Sequence, residues 1–179
     1  PSRKAAADLP EVTLSEDGEV RFLHLGTEWI QGSMIIDDPF AIELDYVQRM
    51  MAWLLFVEPD SVPKRRAMQL GLGSAALTKF HYKKLRMDTT AVEINPQVVA
   101  ACRGWFKLPP DGPRLRVLLA DAGTEIRQPA HLGSIDALHS LLGMSGEAGA
   151  QGLYQHVRKL YVPLLEEGQW PTGHHWLPQ

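Results

Sequence analysis

Gly71-Leu72-Gly73-Ser74-Ala75 ends the apolar run RAMQLGLG and opens a segment with helical spacing. Missing or small side chains at such a strand-to-helix turn let the backbone approach a ligand closely. Glu93 closes the next β-rich run, MDTTAVEI, about 20 residues on, where a carboxylate at a second strand end accepts hydrogen bonds from ribose hydroxyls. Asp121, followed by Ala122, ends a third run, RLRVLLADA, where a carboxylate can receive an adenine amino group. Three strand ends thus converge on one crevice suited to the adenosyl part of a ligand. Taken singly, Glu93 and Asp121 read better as helix N-caps or exposed strand ends; taken together, in register with the glycine turn, they favour the ligand. A nicotinamide dinucleotide site would use the same parts in a G-x-G-x-x-G/A run, and Ala76 leaves that reading open.

Other reactive side chains carry less. Asp136 opens the run SIDALHSLLGMSG, whereas function in a parallel sheet gathers at the carboxyl ends of strands. His139 and Ser140 are adjacent on that strand and point to opposite faces, so they form no simple base–nucleophile pair. Cys102 is the only cysteine, which excludes an intramolecular disulfide, and it reads as a small buried thiol on a helix. His174 and His175 lack the companion ligands and spacing of a metal site, so no metal is expected. No catalytic residue is assigned.

The elements that must position these residues alternate. Residues 11–24, EVTLSEDGEVRFLH, form a hairpin pattern around Asp17-Gly18, and SMIID reads as a further short strand closed by Asp38-Pro39. FAIELDYVQRMMAWLLFVEP is spaced for a helix, with Ile42, Leu44, Tyr46, Met50, Met51, Leu54 and Leu55 as an apolar face that packs against the main sheet. From Arg66 the pattern becomes strand, helix, strand, helix, strand, the second helix opening at Asn95-Pro96, an N-cap followed by proline at the first helical position. Such units specify a parallel sheet with covering helices. The expected fold is therefore α/β and Rossmann-like, with a small β element over 1–40 and a nucleoside-binding domain over 41–179. Past Leu138 the pattern is atypical. GLYQHVRKLYVPLLEEGQ has helical spacing, with Leu153, Val157 and Leu160 on one side and Pro163 in its last turn, while WPTGHHWLPQ makes a poor central strand. A C-terminally truncated or altered sheet is the expectation.

Composition sets the outer bounds. The 179 residues fit one domain, and 45% hydrophobic with 22% charged residues excludes a wholly disordered or collagen-like chain. A net charge of −3 supplies no general footprint for nucleic acid or anionic lipid, and Lys64, Arg65 and Arg66 read as a solvated strand boundary. No secretory h-region or run of about 18 apolar residues occurs, and with one cysteine the expected setting is the cytoplasm. Trp53, Leu54, Leu55 and Phe56 read first as ordinary core and second as cover for a sheet edge across a homodimer.

From about Gln31 to Leu138 the chain resembles the spermidine synthase family of aminopropyltransferases, particularly its bacterial spermidine synthase-like group. The resemblance rests on QGSMIIDDPFAIELDYVQRMMAWLLF, MQLGLGSAALTKF, TAVEINPQVVAACRGWF and RLRVLLADA. It implies a class I methyltransferase-like sheet preceded by a small β domain. It also implies that Gln31, Glu93, Asp121 and Ala122 hold the nucleoside of decarboxylated S-adenosylmethionine or methylthioadenosine, beside Gly71 and Gly73. A polyamine would be the second small-molecule partner, receiving the aminopropyl group. The chain departs from the family where that transfer is performed. Gly73 stands where the glycine-rich loop carries an Asp, the Tyr-His pair reads Tyr46-Val47, and the acidic positions near the fourth strand's end are Leu141 and Met144. Two other readings therefore stand beside aminopropyl transfer: a methyltransferase using intact S-adenosylmethionine, and a non-catalytic nucleoside-binding or interaction homologue.

Overall fold

In the computed structural model, which describes residues 9–140, Gly18 with φ +57° reverses the chain between β1 (Val12–Asp17) and β2 (Val20–Leu25). β3 (Ile30–Ile35) adds to β2, giving an antiparallel sheet in the order β1-β2-β3; it begins three residues before the expected SMIID strand. Alternation along these strands sends Leu23 and Met34 inward, where they pack with Phe106. Arg21 bridges the same contact, pairing with Glu16 and donating to the Trp105 carbonyl.

The single helix expected over 40–59 is not formed. α1 covers only Asp45–Arg49, and the chain then tightens into 3-10 turns over Met50–Phe56 and Pro59–Lys64. The tighter winding serves two clusters at once. Val47 and Met51 pack with Leu77, while Trp53 and Leu54 also reach Val62, Ala67, Met87 and Ala137. Leu55 and Phe56 are left 83% and 79% exposed, so Leu55 does not belong to the packed face and the Trp53–Phe56 run is only half core.

The main sheet is wholly parallel. Its strands are β4 (Arg66–Leu70), β5 (Asp88–Glu93), β6 (Leu115–Leu119) and β7 (Ala137–Ser140), in the order β6-β5-β4-β7. The crossovers carry α2 (Ala76–Lys83), α3 (Pro96–Gly104) and the one-turn α4 (Ala122–Glu125). The chain winds outward from β4 and returns to lay β7 on the other side of it, so the strand order reverses beside β4, where open α/β sheets bind ligands. Asn95 caps α3 by accepting from Gln97 N at 2.9 Å with Pro96 behind it, a cap of about 1 kcal/mol. Leu72, Ala75, Ala91, Val98, Cys102, Leu108 and Leu115 form the core beneath α2 and α3.

Two polar groups lie deep in this packing. The Lys79 ammonium donates to the Phe106 carbonyl at 2.8 Å, and burial lowers its pKa to about 8. Trp53 stacks on His81 at 6.3 Å, and His81 meets His139 at 4.8 Å. His81 Nδ1 reaches the Leu77 carbonyl, but Trp53 Nε1, His81 Nε2 and His139 Nε2 are buried without a hydrogen-bond partner. Burial lowers both imidazoles to a pKa of about 4. At the opposite end of the sheet Asp136 accepts from Arg66 N at 2.8 Å and faces Arg65 at 3.6 Å, a structural tie at the amino end of β7. Leu141, Met144, Leu153, Val157, Leu160, Pro163, His174 and His175 lie outside the described residues. No described helix is long and apolar enough to cross a membrane.

Candidate functional site

β4 delivers the chain to a turn whose left-handed backbone favours glycine. Gly71 and Gly73 take φ of +78° and +54°, and Ala75, at +60°, occupies the same left-handed region just before α2. Gly71 N donates to Val92 O at 2.8 Å, which keeps the turn in register with β5. Glu93, the last residue of β5, is 8% exposed and is held from two sides: Oε2 accepts from Leu72 N and Oε1 from Asn95 N, both at 2.8 Å. A carboxylate has about four acceptor sites, so each oxygen keeps capacity for a hydroxyl donor. Glu93 does not cap α3; Asn95 does.

Asp121 lies two residues beyond the end of β6 and N-caps α4. Its Oδ1 accepts from Thr124 N at 2.7 Å and Thr124 Oγ1 at 2.8 Å, and these bonds hold the carboxyl below the usual range although it is exposed. The cap reading of Asp121 is thus realised in the fold. Ala122 is the buried first residue of α4. Ala120 N bonds to Glu93 O at 3.0 Å, so the ends of β5 and β6 are laced together and Asp121 follows Glu93 along one edge.

Gln31 enters from β3. It lines a small cleft of about 10 Å³, together with Gly32, Ser33, Ile42, Tyr46 and Ser74. Gly32 makes this approach feasible, since a Cβ there would lie 2.6 Å from both Ser74 N and Ser74 Oγ. Ser74 Oγ donates to Ser33 O at 2.8 Å, and Ser33 Oγ donates to Glu43 at 2.5 Å.

Gly71, Gly73 and Glu93 are therefore in one hydrogen-bonded unit, Asp121 and Ala122 occupy the neighbouring strand end, and Gln31 lines a cleft with Ser74 beside the Gly32 and Ser33 backbone that packs on the turn. His139 instead turns into the core against His81, apart from this unit. Among the described residues no three His, Cys, Asp or Glu side chains gather as metal ligands would.

Sequence reasoning missed the groups behind the turn. Gln69 is 2% exposed; its Nε2 donates to Gly71 O at 2.8 Å and Leu72 O at 3.0 Å, and its Oε1 accepts from Thr78 Oγ1 at 2.5 Å. Cys102 Sγ donates to Gly73 O at 3.1 Å, and burial pushes the thiol up to about 12, so it stays protonated and unreactive. The available signal was a polar residue inside the apolar stretch that follows Arg66, two positions before the first glycine.

No family model matches the chain. It is 40% identical over 131 residues to the polyamine aminopropyltransferase of Neisseria meningitidis serogroup A, covering 72% of this chain and 48% of that protein. It is 39% identical over 137 residues to the polyamine aminopropyltransferase of Chromobacterium violaceum, covering 76% and 50%. The chain spans about half the length of the curated relatives it matches. Among solved structures, a probable spermidine synthase from Corynebacterium glutamicum superposes with a TM-score of 0.57 at 19% identity, covering 72% of this chain and 47% of the other. Human methyltransferase-like protein 13 in complex with SAH gives 0.51 at 22% identity, covering 59% and 50%. Both carry the fold found here, a Rossmann-like, class I methyltransferase-type parallel sheet. Over the stretch shared with these relatives, the chain is spermidine synthase-like, matching polyamine aminopropyltransferases at about 40% identity.

Proposed function

We propose that the carboxyl edge of the parallel sheet binds the adenosyl part of decarboxylated S-adenosylmethionine or methylthioadenosine, in a protein of the aminopropyltransferase type. The observation that carries this reading is Glu93. Its carboxylate is buried beside the glycine turn, one fixed N–H on each oxygen, with acceptor capacity left for two ribose hydroxyls. Gly71 and Gly73 clear the approach, Asp121 and Ala122 stand where an adenine edge would lie, and Gln31 closes the cleft from β3.

Aminopropyl transfer to a polyamine needs an amine that has lost its proton, and so a carboxylate within hydrogen-bond reach of it. Gly73 and Val47 occupy two positions at which the family resemblance places charged or titratable partners, so the nucleoside half of the site is the better supported half. One observation favours a second reading, methyl transfer from intact S-adenosylmethionine: the methyltransferase with the same sheet is in complex with SAH. A loop with glycine in place of the acid would equally admit a ligand carboxylate.

Calorimetry on the full chain tests the proposal. Methylthioadenosine is expected to bind and Glu93→Gln to abolish most of that binding, because one amide N–H₂ must then face the Leu72 or Asn95 N–H. A folded protein that binds neither methylthioadenosine nor either form of S-adenosylmethionine sinks the reading. A marked preference for the carboxylated form transfers it to a methyltransferase.

A further inference from the structure

We infer that Gln69, locked by Thr78, is a positioning residue for this site, acting through the glycine turn on Glu93; the inference rests on the nucleoside reading of Glu93 given above. The orientation of the Gln69 amide follows from chemistry: both groups near Nε2 are backbone carbonyls, which only accept, so the N–H₂ faces the turn and the carbonyl oxygen faces the Thr78 hydroxyl. In a trans peptide the C=O and N–H of one planar unit point in opposite directions. Gly71 O and Leu72 N belong to the same unit. Gln69 draws that carbonyl inward, and the Leu72 N–H is thereby aimed at Glu93 Oε2. The next unit repeats the arrangement, with Leu72 O held by Gln69 and by Ala75 N at 2.9 Å. The third carbonyl, Gly73 O, is held by Cys102.

The turn is therefore polarised by its supports, and one side chain controls two of its three carbonyls. Thr78 is wholly buried in the first turn of α2, and its hydroxyl prevents the Gln69 amide from rotating. Without Gln69 the 71–72 peptide is free to tilt, Glu93 Oε2 loses its fixed donor, and the carboxylate turns about its bond to Asn95 N. The ribose hydroxyls would feel this change, while the adenine edge near Asp121 would not.

The test compares methylthioadenosine with its 2′,3′-dideoxy counterpart, which offers Glu93 nothing, by calorimetry on the full chain. Wild type is expected to prefer the hydroxylated ligand. Gln69→Met is expected to lose about tenfold in affinity for methylthioadenosine and to stay within about twofold for the dideoxy ligand, so that the preference collapses. Thr78→Val is expected to shift the preference the same way, with Thr78→Ser restoring it; should Gln69→Met fail to fold, the Thr78 pair decides. A parallel loss for both ligands, or Thr78→Ser behaving like Thr78→Val, overturns the positioning role and leaves the nucleoside reading intact. Wild type without preference or binding overturns the Glu93 reading itself, and the inference with it.

Discussion

Two buried polar assemblies lie against α2 and differ in how completely they are satisfied. Around the glycine turn, Gln69, Thr78, Glu93 and Cys102 all have partners, and the turn's carbonyls are held in place. In the other, Trp53, His81 and His139 stack ring on ring and leave three buried nitrogens unpartnered. A satisfied network is costly to interrupt, because each group left behind loses about 1–3 kcal/mol of solvation, whereas apolar replacement of unsatisfied groups is nearly neutral. The first assembly is built to hold a shape, and the second behaves as core that happens to contain nitrogen.

Glu93→Ala should separate the two most sharply. It leaves the Leu72 and Asn95 N–H groups buried without an acceptor, so a loss of roughly 2–5 kcal/mol in urea unfolding is expected, together with loss of methylthioadenosine binding. His81→Leu, of similar bulk on the other side, should change stability by less than about 1 kcal/mol; an equal loss would erase the distinction.

Acid provides a second way to break it. His81 and His139 have folded pKa values of about 4 against an ordinary 6.5, so the unfolded chain takes up their protons first. The stability that comes from burying neutral rings is complete above pH 6.5, falls as the pH drops towards 4, and levels off below that, a loss on the order of 3 kcal/mol per ring. Unfolding measured between pH 4 and 7 should show this slope. His139→Leu should remove about half of it and leave the share of His81, while Gln69→Met, which removes no titrating group, should leave it unchanged.

Gly32→Ala asks how firmly β3 is seated on the turn. The added methyl meets Ser74 N as well as Ser74 Cβ and Oγ, and although the hydroxyl can rotate away the backbone and Cβ cannot, so a loss of about 1–3 kcal/mol and weaker nucleoside binding are expected. The smallest effect is expected at Leu55 and Phe56. Changing both to Ser should alter stability by less than about 0.5 kcal/mol, since they are exposed, and any change in sedimentation coefficient would identify them as a contact between copies.

The sequence alone determined the alternation of strands and helices from Arg66 to Ser140, the hairpin at Asp17-Gly18, the cap at Asn95-Pro96 and the placement of Gly71, Glu93 and Asp121 at or just beyond strand ends. Each of these is carried by residues within a few positions of one another, where backbone sterics and periodicity act directly. The helix over 40–59 was misread for the converse reason: its apolar spacing suits an α-helix, but the pull of two separate clusters on Val47 and Trp53 winds it tighter. Tertiary structure alone decided that Glu93 would be pinned by Leu72 and Asn95, that Gln69 and Cys102 would face the turn's carbonyls, and that Gly32 would lie against Ser74. Ser33 and Ser74 are 41 positions apart and Gly73 and Cys102 29, and hydrogen bonds across such separations leave no local pattern to read, whereas Gln69 reaches Gly71, Leu72 and Thr78 within two to nine positions and shows in the sequence only as a polar residue in an apolar run. Glu93 was found because strand-end carboxylates have a spacing, and Gln69 was missed because a buried amide supporting a turn has none.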